Sequence, residues 1–192
     1  MLTVTESQGG RSTAPQNVHV ASDEAQTSNF LGTQNRVLLR AAQTGGAAGV
    51  IDISIQPGAG APLHTNTREA LIWYVTEGTL TFQTEQGQIQ VEKHGSIFLP
   101  HGSTHLFANT SDRRSRALLV CLPGGFEGYL LSLGGQLPTD TPAGPPPAEA
   151  MKIIVPLAEQ YGVGVADQDT LQRDESSIDS RKVTERTPAG TP

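Results

Sequence analysis

Between Val50 and Leu122 the apolar residues recur at every second position, in runs that are short. In VIDISIQPG, Ile51, Ile53 and Ile55 alternate with Asp52 and Ser54. In LIWYVTEGTLTFQTEQGQIQV, Leu80 and Phe82 share one face, and Ile89 and Val91 return beyond a turn at Glu85–Gln88. SIFLP and RALLVCLP are further short runs. Glycine and proline interrupt the pattern at Pro57-Gly58, Gly78, Gly87, Gly95, Pro100 and Pro123-Gly124 and bound the short runs. Strict alternation sends one set of side chains to each face of a strand. Many short strands bounded in this way predict an antiparallel β-barrel or sandwich.

The period changes after Gly125. FEGYLLSLGG predicts one short helix stopped by Gly134-Gly135. TDTPAGPPP reads as a stiff linker, and Pro147 suits a helix start. AEAMKIIVPLAEQYG places Met151, Ile154, Leu157 and Tyr161 on one face and ends at Gly162, with Pro156 expected to kink or break it. Residues 1–29 and 166–192 are polar and aperiodic, so they are expected to form a flexible N-terminal segment and a disordered tail around a domain at 30–165.

A chain of 192 residues suits one such domain. With 13 basic and 19 acidic residues its net charge is −6, and no basic arm or patch offers a footprint for nucleic acid. Cys121, the one cysteine, can form no intramolecular disulfide and lies in the apolar run ALLVCLP, where a buried, inert thiol is expected. The N-terminus lacks a charged segment leading into an apolar stretch, and no apolar run reaches the roughly 18 residues of a membrane span. The expectation is a soluble cytoplasmic protein without membrane contact.

Two segments carry more specific information: PGAGAPLHTNTREALIWYVTEG and HGSIFLPHGSTHLFAN. They resemble the two motifs of the cupin superfamily, G-x5-H-x-H-x3,4-E-x6-G and G-x5-P-x-G-x2-H-x3-N. The flanks LIWYVTEGTLTF and PGGFEGYLLSLG are similar to those of small bacterial single-domain cupins resembling quercetin 2,3-dioxygenase. The resemblance spans about residues 30–165. It implies an all-β cupin (a double-stranded β-helix or jelly-roll barrel) with short C-terminal helices, and a homodimer.

The family's metal ligands map unevenly onto this chain. His64 takes the place of the first histidine and His105 that of the second motif's histidine, with Asn109 closing that motif. Asn66 stands where the second histidine would be, Leu71 where the glutamate would be, and His94 where the second motif's glycine would be. Two of four ligands remain. An asparagine carbonyl is neutral and leucine offers no donor, so the resemblance implies a degenerate metal site. The expectation is no tightly bound cofactor; the alternative is a divalent metal (Fe, Mn, Ni or Zn) on His64 and His105.

Parity on the strand puts Leu71, Trp73 and Val75 toward the interior and Ile72 and Tyr74 outward, against the second sheet or a partner subunit. Phe107 shares parity with His105. These apolar residues read either as plain core or as the wall of a ligand pocket. Glu69, separated from the strand by a turn, reads as a solvated loop charge, with a general-acid or substrate-binding role as the alternative; His101 is expected to point outward, and Arg113, Arg114 and Arg116 to form a solvated face.

Chemistry without dioxygen needs no redox metal, whereas activating dioxygen needs one with open positions. The leading expectation is therefore a small-molecule tailoring enzyme: a cyclase, isomerase or dehydratase acting on a hydrophobic, polyketide-like intermediate. His64 and His105 would be the acid/base pair titrating near 6.5, Asn66 a polarising donor, and Leu71, Trp73 and Phe107 the mould. A metal-dependent quercetinase-like dioxygenase and a non-catalytic ligand-binding cupin are the two alternatives.

Overall fold

The computed structural model describes residues 17–21, 23–139 and 142–166. Eleven strands form two antiparallel sheets packed face to face, with two helices at one side. The strands are β1 (Gln26–Phe30), β2 (Thr33–Leu39), β3 (Gly49–Ile55), β4 (Gly60–Asn66), β5 (Ala70–Glu77), β6 (Thr79–Thr84), β7 (Gly87–Glu92), β8 (Ser96–Leu99), β9 (Thr104–Ala108), β10 (Ser115–Leu122) and β11 (Val163–Val165). The helices are α1 (Phe126–Gly134) and α2 (Ala148–Gln160). One sheet runs β1-β2-β3-β10-β5-β8 and the other β11-β4-β9-β6-β7. No described helix is long and apolar enough to cross a membrane.

The period-two pattern becomes the core directly. On β5, Leu71, Trp73 and Val75 are buried, and on β10 their partners Cys121, Leu119 and Ala117 face the same interior. Trp73 meets Phe82 edge-on at 5.6 Å and tilts against Phe107 at 4.7 Å, which joins the two sheets through aromatic contact. The outer face of β5 lies open in the single chain, where Tyr74 is 39% and Phe98 on β8 59% exposed. Cys121 is fully enclosed, and burial pushes its thiol well above its ordinary value, as an inert thiol requires.

Positive-φ residues fix the turns. β1 and β2 join through Leu31-Gly32, both at positive φ (49° and 74°), the geometry of a tight hairpin turn. His94, in the place of the motif glycine, adopts φ 69°, and its Nδ1 lies 3.1 Å from the Tyr74 hydroxyl. Asn109 closes the second motif as a staple. It donates to the Ile55 and Arg113 carbonyls and accepts from the amide and hydroxyl of Ser111.

Several boundaries differ from the sequence reading. The barrel starts at Gln26, so residues 26–29 belong to β1 and not to the N-terminal segment; residues 1–16, 22 and 167–192 lie outside the described residues. α2 runs unbroken through Pro156. The ring sits on the exposed side, where the Lys152 carbonyl that loses its partner is itself on an exposed residue. The helix buries Ala150, Ile154, Leu157 and Ala158, and Met151 is only half-buried. Among the arginines, Arg116 binds Asp52 through two hydrogen bonds and Arg114 lies 3.5 Å from Glu77. β11 pairs with β4, placing Val163 beside Asn66 and Val165 beside His64.

α1 is anchored by Glu127, a buried carboxylate in its first turn. Its two oxygens accept from the Ala41 amide at 2.6 Å and the Gly125 amide at 2.8 Å. A carboxylate at this end also complements the helix dipole. The contact ties the loop before β3 to the start of the helix and seats α1 against β1, β2 and β3.

Candidate functional site

His64 on β4 and His105 on β9 are cross-strand partners, with ring centroids 4.4 Å apart and planes inclined by 56°. The pairing skips between Ala61 and His64, a bulge of the kind that re-aims side chains beside functional sites. Gly60 permits the close approach of the two strands here, because a Cβ at that position would stand 2.1 Å from the Phe107 carbonyl oxygen.

The tautomers follow from the partners. His64 Nδ1 lies 2.9 Å from the Pro62 carbonyl and His105 Nδ1 3.2 Å from that of Ser103. A carbonyl only accepts, so each Nδ1 carries its hydrogen and each Nε2 keeps its lone pair. Burial lowers the pKa of His64, and burial together with the neighbouring His64 lowers that of His105 to about 3. This corrects the expectation of a pair titrating near 6.5: His105 is neutral throughout the physiological range.

A small cavity of about 80 Å³ opens between the two sheets and the helices. His64, Leu71, Trp73 and Phe107 line it. Apolar walls with few polar groups are typical of small-molecule sites. The structure gathers these four residues but leaves the other candidates behind the wall. His105, Asn66 and Val75 are buried without bordering the cavity, and Asn66 has a partner for neither of its amide atoms. His105 Nε2 and Trp73 Nε1 are likewise enclosed without partners.

Glu69 is not a solvated loop charge. It is 2% exposed, does not border the cavity, and its Oε2 has no partner. Burial raises its pKa from the usual 4.5; Arg68 opposes the rise and Glu127 adds to it. The chain reverses at residues 67–69 so that this side chain turns in, toward Gly125 at the foot of α1. His101 is exposed, as expected.

The sequence reading missed much of the wall. α1 supplies Phe126, Tyr129, Leu130 and Leu133, and the β1–β2 hairpin supplies Phe30, Leu31, Thr33 and Asn35. Thr33 bonds the Phe30 carbonyl, and Asn35 donates to the Ser28 carbonyl and the Thr33 hydroxyl. The FEGYLLSLGG stretch held the signal for α1, since a helix packed beside a barrel must turn an apolar face toward it.

Cupins commonly hold a divalent metal at this place in the barrel. The donors that meet near His64 are two neutral imidazoles; the amide of Asn66 adds no charge, and Leu71 adds no donor. Among the described residues no group of three or more His, Cys, Asp and Glu is arranged to hold a metal ion. A divalent cation on this set would keep its full charge in a buried site, so the donors do not fit the group.

Residues 52–121 match the family described as Cupin domain. KdgF from Halomonas sp. is similar in structure with a TM-score of 0.51 at 16% identity, over 58% of this chain and 99% of that one. A mutant of the oxalate decarboxylase OxdC from Bacillus subtilis has a TM-score of 0.51 at 19% identity, over 59% of this chain and 31% of that one. The polyketide cyclase RemF from Streptomyces resistomycificus has a TM-score of 0.48 at 20% identity, over 56% and 80%. Identities this low speak to the fold alone. No curated protein matches the chain. The two-sheet barrel and the matched segment agree on the fold, a cupin β-barrel, with residues 52–121 similar to the cupin domain.

Proposed function

We propose that this protein catalyses a non-oxidative proton transfer on a hydrophobic, polyketide-like small molecule, without a tightly held metal. One observation carries the reading: a neutral imidazole with its lone pair on Nε2 lines an apolar cavity, beside Leu71, Trp73 and Phe107. Such an imidazole accepts a proton from an enolisable carbon or a hydroxyl held against it. Burial makes His64 a weaker base than free histidine, so the reaction it serves removes a relatively acidic hydrogen, such as one between two carbonyl groups. His105 stands behind it and acts through it. Its neutral ring packs beside His64 and fixes the ring that borders the cavity. Leu71, Trp73 and Phe107 hold the ligand's apolar body, and ordering a flexible chain there contributes several kcal/mol to the barrier reduction. A cyclisation, isomerisation or dehydration would share this first step.

The test uses benzoylacetone, an apolar β-diketone, as the probe. The full chain should accelerate exchange of its central hydrogens with D₂O, followed by NMR, in EDTA and without oxygen. His64→Gln should remove the acceleration. Activity that vanishes on chelation and returns with Fe, Mn or Ni would sink the proposal in favour of a metal-dependent enzyme. Saturable binding without exchange would favour a ligand-binding protein.

A further inference from the structure

Two aromatic side chains that line the cavity keep polar atoms without a partner among the described residues and outside the fully enclosed set. One is His64, whose Nδ1–H is held by Pro62 and whose Nε2 is open. The other is Tyr129 of α1, which is 6% exposed and whose hydroxyl makes no hydrogen bond to any described residue. Elsewhere on the wall, Thr33 bonds the Phe30 carbonyl, the Asn35 amide nitrogen donates to Ser28 and Thr33, and Trp73 Nε1 is fully enclosed. The contrast with Tyr161 is direct. That tyrosine, whose ring centroid is 5.9 Å from Tyr129, has its hydroxyl 2.9 Å from the Ser132 hydroxyl. The Tyr129 hydroxyl is not among the enclosed atoms, so it stays accessible on a residue that lines the cavity. Tyr129 is held by ring contacts with Phe126 at 5.6 Å and with Tyr161, so the ring is packed while the hydroxyl is left over.

We infer that Tyr129 is the hydrogen-bond donor to the ligand's carbonyl oxygen, working with His64 on one substrate class: apolar molecules with a carbonyl next to an acidic C–H. The inference rests on the proton-transfer reading above and adds the electrophilic half of it. His64 Nε2 takes the proton from the carbon. The C–H electron pair forms the new C=C bond, and the carbonyl π pair moves onto oxygen. Tyr129 O–H donates to that oxygen as its charge grows. The proton then returns from His64 to carbon or to oxygen, and no oxidant or metal enters the balance. Burial pushes the Tyr129 phenol up to about 12, so it remains protonated and able to donate across the physiological range. A donor of this kind placed where charge develops accounts for roughly 10²–10³ in rate.

Tyr129→Phe tests this. Removing an unbonded hydroxyl should leave the melting temperature unchanged or slightly higher. The deuterium-exchange rate of benzoylacetone should fall by about 10²–10³-fold in kcat. Binding, followed through the fluorescence of Trp73, the chain's one tryptophan, should weaken by only about 5–10-fold, the loss of one neutral hydrogen bond. Exchange at the wild-type rate in Tyr129→Phe but not in His64→Gln would overturn the inference and leave the general reading standing. Wild-type rates in both variants, or no exchange by the wild type, would overturn the reading itself. A fall in binding as large as the fall in rate would also overturn the role, since Tyr129 would then serve only to hold the ligand.

Discussion

Asn109 and Asn66 are both buried, one at the end of each motif's site-bearing strand, and they live under opposite conditions. Asn109 donates at 3.0 and 2.7 Å and accepts at 3.1 and 2.7 Å, so every group on its amide is satisfied. Asn66 is 1% exposed, and neither its oxygen nor its nitrogen has a partner. An enclosed polar group without a partner costs roughly 1–3 kcal/mol. The same side chain is thus a staple at one end of the barrel and a liability at the other. Asn66, Glu69, Trp73 and His105, on β4, the β4–β5 turn, β5 and β9, all carry unpartnered polar atoms, as do Ser28 and Asn29 on β1 and Ser103 before β9. One end of the barrel is built for stability. The other leaves buried polar groups unpaired.

The comparison can be broken most sharply at His64. His64→Gln keeps a polar side chain but removes the base, and the exchange rate should fall by about 10²–10⁴-fold with little change in melting temperature. A rate within threefold of wild type would mean that the strained end has no proton-transfer role. At the stable end, Asn109→Ala should cost about 2–4 kcal/mol, read by urea unfolding, because it strands the Ile55 carbonyl inside the barrel.

Acid sharpens the contrast next. The fold holds His105 neutral down to about 3, while the unfolded chain takes up a proton below about 6.5. The stability tied to this ring is complete above about pH 6.5 and is lost as the pH falls toward 3. At pH 5 the loss is about 2 kcal/mol relative to neutral pH, and His105→Gln should lack that share. Glu69 works the other way, since its raised pKa makes its contribution fade as the pH rises above 4.5. Identical acid sensitivity in wild type and His105→Gln would contradict the burial argument. The smallest effect is expected at Asn66. Asn66→Leu removes two orphaned polar atoms at nearly constant volume and should stabilise the chain by about 1 kcal/mol, the reverse of Asn109→Ala. A loss instead of a gain would mean that Asn66 is paired in solution.

The interior faces were legible because β parity is rigid. Knowing that Trp73 faces in also places Leu71 and Val75, and His105 places Phe107. Parity does not say which inward residues border empty space, and this is why His105, Asn66 and Val75 fall behind the wall while His64 reaches it. Glu69 was misread because a residue in a turn has no parity to inherit. Tyr129 and Leu31 were missed because their place depends on how α1 and the β1–β2 hairpin dock, which no local period encodes. β11 is three residues with a central glycine, too short to carry a pattern, and its partner lies nearly a hundred residues earlier on β4.

Two neutral imidazoles, hydrogen-bonded through Nδ1 and bare at Nε2, form the heart of this site, His64 bordering the cavity and His105 enclosed behind it. Nitrogen-15 NMR of protein labelled in its histidine rings reads this directly. The account predicts that His64 and His105 both show Nδ1 protonated and Nε2 bare at neutral pH, and that His105 shows no protonation step between pH 8 and 5. A protonation midpoint for His105 near 6.5, Nε2 carrying the hydrogen, or an Nε2 signal displaced by a bound metal in protein never exposed to chelator would contradict it.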